Sequence, residues 1–188
     1  MFSQQDKAFM SEAFELAQES YNYNEVPVGA IIVNNGKIIG RGRNNVITNN
    51  DVTSHAEINA IKDASKNIQN YRLVNCQMYV TLEPCHMCAK AIVDARLKSL
   101  IYAAKEPKTG SIQSIDNFLD NKFLNHKVEV FLRHSNYVVG IIYRLELFVI
   151  IALYIFFYHQ VILMELKGRY QKSIHHNQFL HYSHKSSC

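Results

Sequence analysis

Proline and glycine are scarce, three and seven among 188 residues, which excludes a low-complexity or fibrous chain. With 48% hydrophobic and 19% charged residues, the composition is that of one globular domain with a core of its own. Cysteine is scarce too. Cys76, Cys85, Cys88 and Cys188 are too few and too unevenly spaced for the disulfide framework of a secreted domain. No apolar run opens the chain, where Asp6, Lys7, Glu12 and Glu15 fall, so no signal peptide is read there. These absences point to a reducing, cytoplasmic setting. Charge of one sign is missing from residues 1–130, which hold 14 Lys/Arg and 14 Asp/Glu, so the net charge of +4 comes from the remaining residues. A nucleic-acid surface on the main domain would therefore be a local patch. No internal repeat is present.

The hydrophobic pattern predicts an α/β layer fold. Residues 4–22 carry Phe9, Met10, Ala13, Phe14, Leu16 and Ala17 at helical spacing. Two β-rich runs, 28–33 and 37–41, flank Asn34-Asn35-Gly36, a hairpin signal. A helix over 54–64, a strand over 77–81, a helix over 85–95 opened by Pro84 and a strand over 100–103 follow. A loop with a short helix then leads to a last strand over 128–132. Alternating strands and helices imply a largely parallel sheet after the hairpin. Two helices that each follow parallel strands start at the same carboxyl edge of the sheet, where sites form in such folds.

That placement brings His55 close to Cys85 and Cys88. The two cysteines lie one helical turn apart on one face, and a helix start favours the thiolate that zinc needs. Three ligands with an open fourth position is the pattern of a catalytic zinc site, whose water has a pKa of roughly 7. Such a water needs a base, and Glu57 stands two residues beyond His55. Taken alone, Ser54-x-x-Glu57 is also a capping box, Cys-x-x-Cys is also a redox or structural motif, and Cys76, His86 or Cys188 could close the metal site. Cys76, at the start of a strand, reads as a packing residue, and His86 points off the face of the two cysteines. His-Ala-Glu followed by Pro-Cys-x-x-Cys is far more specific than its parts, and the combination favours the catalytic reading.

This signature resembles that of the zinc nucleobase deaminases. The stretches EVPVGAIIV (25–33), HAEI (55–58), NYRL (70–73), YVTLEPCHMC (79–88), AKEPKTG (104–110) and NHKVEV (125–130) narrow the resemblance to bacterial tRNA-specific adenosine deaminases, over residues 5–130. The resemblance implies a cytidine-deaminase-like three-layer α/β/α sandwich around a five-stranded mixed sheet. It implies one Zn2+ per chain on His55, Cys85 and Cys88, and hydrolytic deamination of adenosine to inosine at the wobble position of an arginine tRNA. Glu57 would shuttle protons to N1 and to the departing ammonia. Asn44 would hydrogen-bond the nucleoside, and the Ala56 N–H would bind the zinc-bound oxygen. Pro27 and Val28 would form the pocket wall. Glu106, Lys108 and Asn125 would contact neighbouring nucleotides of the anticodon loop, with Lys105 helping Lys108 to neutralise phosphate. A homodimer is expected on the same ground. Arg41, Arg43 and Arg72 read as solvated charges. A free cytosine, guanine or nucleoside deaminase, or a defective copy that binds zinc without turnover, are the competing expectations.

The family pattern stops near residue 131. Residues 131–188 hold 11 of the 21 aromatics and six of the nine His, with no Pro or Asp. So abrupt a change suggests a change of reading frame or a replaced C-terminus, leaving a deaminase domain over 1–130 and an apolar, His-rich tail. The run Leu147–Tyr158 has 12 residues, short of the about 20 that span a bilayer. A membrane segment is therefore not expected; the run reads as an apolar helix in place of the family's last one or as an aggregation-prone tail.

Overall fold

The computed structural model describes residues 3–133. Helix α1 spans Gln4–Asn22, β1 Gly29–Asn34, β2 Lys37–Arg43, α2 Val46–Asn49, α3 Ala56–Ile68, β3 Gln77–Leu82, α4 His86–Asp94, β4 Ser99–Ala104 and β5 Glu129–Leu132. A 3-10 turn at Phe118–Asp120 interrupts the segment between β4 and β5. The elements occur in the order expected from the hydrophobic pattern. The exception is α2, a single turn that the sequence reading did not foresee.

The five strands form one sheet in the order β2-β1-β3-β4-β5. β1 is antiparallel to both neighbours, whereas β3, β4 and β5 run parallel. It follows that β2 is parallel to β3, and that α3 and α4 start at the same edge. The hairpin between β1 and β2 turns at Asn35 and Gly36, both at positive φ (48° and 74°), as Asn-Gly turns favour.

Alternation along the strands sends successive side chains to opposite faces. One face of the sheet carries Ala30, Ile32, Met78, Val80, Leu100 and Tyr102, packed with Ala56, Ala60 and Ala64 of α3 and Ala89 and Ile92 of α4. On the other, the Phe9 ring of α1 packs on Tyr79 at 5.3 Å. Helix, sheet and helix thus form the three layers expected. β1, β3 and β4 are buried along nearly their whole length and are mostly apolar. α1 opens with a capping box in which Ser3 Oγ accepts from the Asp6 N–H and Asp6 accepts from the Ser3 N–H.

Small residues set the depth of α3 against β2. A Cβ on Gly42 would lie 2.1 Å from the Ala56 carbonyl oxygen. Only glycine there lets the start of α3 sit so close to the sheet.

β5 runs to Leu132, pairing Phe131 with Ile101 and Leu132 with Tyr102. The boundary expected at residue 130 therefore falls inside a strand. The expectations for the tail, including the apolar run Leu147–Tyr158 and its His-rich end, lie outside the described residues. Among the described residues no helix is long and apolar enough to cross a membrane.

Candidate active site

His55 and Cys85 are the N-cap residues of α3 and α4. A Ser or Asp in that position would bond the exposed N–H groups of the first turn. Here both N-caps have extended backbone and neither side chain caps its helix. Each is left to point at the other across the edge of the sheet. Cys88, one turn into α4, completes the group.

The three donor atoms lie within 4.8 Å of one another. His55 Nδ1 is 3.8 Å from Cys85 Sγ and 3.5 Å from Cys88 Sγ. Zinc bonds of about 2.3 Å to sulfur and about 2.05 Å to nitrogen, set at the tetrahedral angle, place the two ligand atoms about 3.6 Å apart. The observed spacings fit a single zinc ion bound through Nδ1 and two sulfurs. The hydrogen bond with Cys88 and then the neighbouring His55 pull the Cys85 thiol down to about 3, against burial, favouring the thiolate that binds metal.

Glu57 belongs to the first turn of α3 and is buried. Burial pushes its carboxyl above the usual range, and the side chain is within hydrogen-bond reach of Cys88. It is no part of the ligand triad. Nor does it form a capping box with Ser54, whose hydroxyl is taken up by Asn49 and Asn59. His86 turns away from the triad and bonds Asp116 at 2.8 Å, and Cys76 is buried in the core.

A cavity of about 310 Å³ opens beside the triad. His55, Glu57 and Cys85 line it together with Val28 and Asn44, and so do Val46 and Ile47. Glu25, Glu83, Glu106 and Thr109 complete its polar lining. The Asn44 backbone is fixed by Ser20 Oγ at 3.0 Å and the Val28 carbonyl at 3.1 Å. Its side chain makes no hydrogen bond among the described residues, and the residue lines the cavity. Ala56 is buried as the first residue of α3, where an N–H has no partner within the helix.

The structure does not bring every expected residue to this cavity. Pro27 is exposed and leaves the wall to Val26 and Val28. Lys105 and Lys108 are exposed on the loop that carries Glu106. Asn125 accepts two hydrogen bonds from Arg96, at 2.8 and 2.9 Å. Arg96 follows the C-terminus of α4, so Asn125 belongs to the opposite edge of the sheet from Cys85. Its place is set by β5, which enters the sheet at that edge. Arg41 pairs with Glu12 on the surface, in keeping with a solvated charge, whereas Arg43 is only 20% exposed, facing Glu19 and lying over the Tyr23 ring at 4.3 Å.

Two lining carboxylates had no role in the sequence reading. Glu25 accepts from the N–H groups of Ile47 and Thr48 and from the Thr48 hydroxyl. Glu83 accepts from the N–H groups of Glu106, Ile112, Gln113 and Ser114 and from the Ser114 hydroxyl. The only signal in the sequence was their place in EVPVG and LEPC, next to residues already singled out.

A family model of the cytidine and deoxycytidylate deaminase zinc-binding region matches residues 3–104. The chain is 48% identical over 129 residues to the tRNA-specific adenosine deaminase of Haemophilus influenzae, covering 68% of this chain and 75% of that protein. It is 43% identical over 121 residues to that of Aquifex aeolicus, covering 64% and 80%. A solved structure from work on A-to-I editing by tRNA:A34 deaminases at the wobble position superposes with a TM-score of 0.66 at 40% identity, over 67% of this chain and 97% of that one. A guanine deaminase from Bacillus subtilis gives a TM-score of 0.52 at 33% identity, over 74% and 92%. Sheet, helices and ligand triad are accordingly those of the zinc-binding deaminases. Within that class, the chain belongs to the tRNA-specific adenosine deaminase family.

Proposed function

We propose that this enzyme hydrolyses adenosine to inosine at the wobble position of a tRNA, an arginine tRNA first, with His55, Cys85 and Cys88 holding one zinc ion. The observation that carries the reading is the buried Glu57 beside the triad, lining a cavity of about 310 Å³. When bound, zinc supplies a water acidic enough to lose a proton near neutral pH.

The remaining chemistry belongs to the chain. Glu57 takes that proton and passes it to N1 of the adenine, then carries the second proton, from the new C6 hydroxyl, to the amino group, which leaves as ammonia. Its burial raises the carboxyl's pKa and so favours the protonated form that gives the proton back. The Ala56 N–H donates to the oxygen arriving at C6, and the Asn44 amide holds the nucleoside. Val28, Val46 and Ile47 offer apolar contact to the flat base.

Charge supports a base, rather than a nucleotide, inside the pocket. The lining holds four Glu and no Lys or Arg. A phosphate has no cation to meet there, so the strand's phosphates belong outside, where Lys105 and Lys108 are exposed. A base turned out of a single-stranded loop satisfies this at small unstacking cost. Glu106, on the rim, is placed to contact a flanking nucleotide. Free guanine is the second reading, favoured by the likeness to a guanine deaminase of known structure.

The same reading carries the family's homodimer and cytoplasmic setting, the first of which sedimentation would measure. The break in composition after residue 130 supports a change of reading frame, and translating the coding DNA in its other frames tests it: no family-like final helix in either frame sinks the idea, leaving a replaced C-terminus.

The primary test is inosine formation by the full chain on an arginine-tRNA anticodon stem-loop with adenosine at the wobble position. Conversion confined to that adenosine is the expected result. No conversion by zinc-loaded protein, together with release of ammonia from free guanine, would overturn it.

A further inference from the structure

We propose that Glu25 and Glu83 are positioning residues, two buried carboxylates that hold two walls of the pocket in the shape the substrate needs. This rests on the reading of the cavity as the deaminase pocket. Neither wall is built on a long regular element. One is α2, a single helical turn, too short to persist without outside support. The other is the segment 105–116 that follows β4, which contains no regular element.

Each wall is gathered by one carboxylate. Glu25 Oε1 accepts from the Thr48 N–H at 2.7 Å and the Thr48 hydroxyl at 2.8 Å, while Oε2 accepts from the Ile47 N–H at 3.2 Å. These bonds set the two α2 residues that line the cavity, Val46 and Ile47, against its rim. Glu83 Oε1 accepts from the N–H groups of Ile112, Gln113 and Ser114 at 3.0, 2.6 and 2.9 Å. Its Oε2 accepts from the Glu106 N–H at 3.1 Å and from the Ser114 hydroxyl. A Cβ on Gly110 would lie 2.6 Å from the Glu83 carboxyl carbon, so the loop is wrapped tightly on that group.

A buried carboxylate is costly unless donors surround it. Both of these are surrounded, and in each case by backbone N–H groups of a cavity wall rather than by a Lys or Arg. Their oxygens are therefore occupied by the walls and are not left for proton transfer. Both line the same cavity as Glu57.

Two isosteric variants test the proposal, Glu25→Gln and Glu83→Gln, each of which puts an amide NH2 where an acceptor oxygen was. Zinc content should stay at one per chain. Amide hydrogen exchange should rise at residues 47–48 in the first variant, and at 106 and 112–114 in the second, with the rest of the chain unchanged. KM for the stem-loop should rise about tenfold while kcat stays within about threefold, because bonds that shape the binding walls act on substrate and transition state alike. Thr48→Ala and Ser114→Ala remove one hydroxyl donor each and should move KM the same way by less. They carry the test if a Gln variant does not fold. Faster local exchange with unchanged KM would overturn the proposal, as would loss of zinc or a fall confined to kcat. A wild-type chain that forms no inosine would instead count against the substrate reading, since the exchange rates report the clamps without turnover.

Discussion

Glu57 is a proton carrier only if it is not a ligand, and its place outside the His55, Cys85 and Cys88 triad makes that distinction measurable. Glu57→Gln should keep one zinc per chain by metal analysis and lower kcat by about 10²- to 10⁴-fold, the range that a positioned acid–base contributes. Loss of the metal with the carboxylate would instead make Glu57 a ligand. At this scale the sequence was most legible where chemistry is local: His55, Glu57, Cys85 and Cys88 stand in two short strings whose spacing carries their meaning. Glu25 and Glu83 were illegible for the opposite reason. Their partners are backbone N–H groups 22 to 31 positions away, which no residue type advertises. Pro27 and Val28 show a finer limit. Adjacent residues face opposite ways here, and only Val28 reaches the cavity.

Among the elements, the contact between α3 and β2 governs the site. The Gly42→Ala methyl would meet the Ala56 carbonyl oxygen at 2.1 Å and the Ala60 nitrogen at 2.3 Å. These are backbone atoms and cannot swing aside. The substitution should lower stability by about 1–3 kcal/mol, as overpacking does, and displace His55 with the helix that it immediately precedes. A denaturant midpoint reports the first effect and weakened zinc retention the second. An unchanged midpoint would show that α3 is free to move away from the sheet. Long elements were legible because their apolar periodicity spans many residues: α1 was read over 4–22 and forms there. α2 was not, because four residues cannot show a period and its hold comes from Glu25. Asn125 was assigned through its motif, but position follows topology, and the entry of β5 at the far edge takes it to Arg96.

For the molecule as a whole, several carboxylates are held below their ordinary range. Burial alone would raise Glu25, but hydrogen bonds from Thr48 and Ile47 outweigh it. The same holds for Asp6, where Tyr79 and Ser3 oppose burial, and Asp51 is lowered first by the Thr53 hydroxyl. A carboxylate with a folded pKa below its unfolded one stabilises fully above the unfolded value and loses that contribution as pH falls through the folded one. Stability should therefore fall on acidification from the unfolded values of 4.5 for Glu25 and 3.8 for Asp6 and Asp51. Thermal melts across that window should show it, and Glu25→Gln should give a shallower acid limb than wild type. Identical limbs would mean that the α2 contact persists when Glu25 is protonated. Mixed topology, the three layers and the convergence of two helix starts were all legible before the structure, since they follow from the order of strands and helices and the rule for connecting them.

β1 lies between two strands that run the other way, one immediately after it in the chain and one much later, with Ala30 paired to Gly42 on one side and Val80 on the other. As the polypeptide leaves the ribosome, the hairpin can close while β3 is still unmade. Until residues 77–82 emerge, the second edge of β1 stays open to any passing strand. His55 waits equally long for its sulfur partners, which come directly after β3. Metal capture and closure of that edge thus fall together, late in synthesis, and a nascent chain that holds its ion has also passed the stage at which β1 could pair with a neighbour.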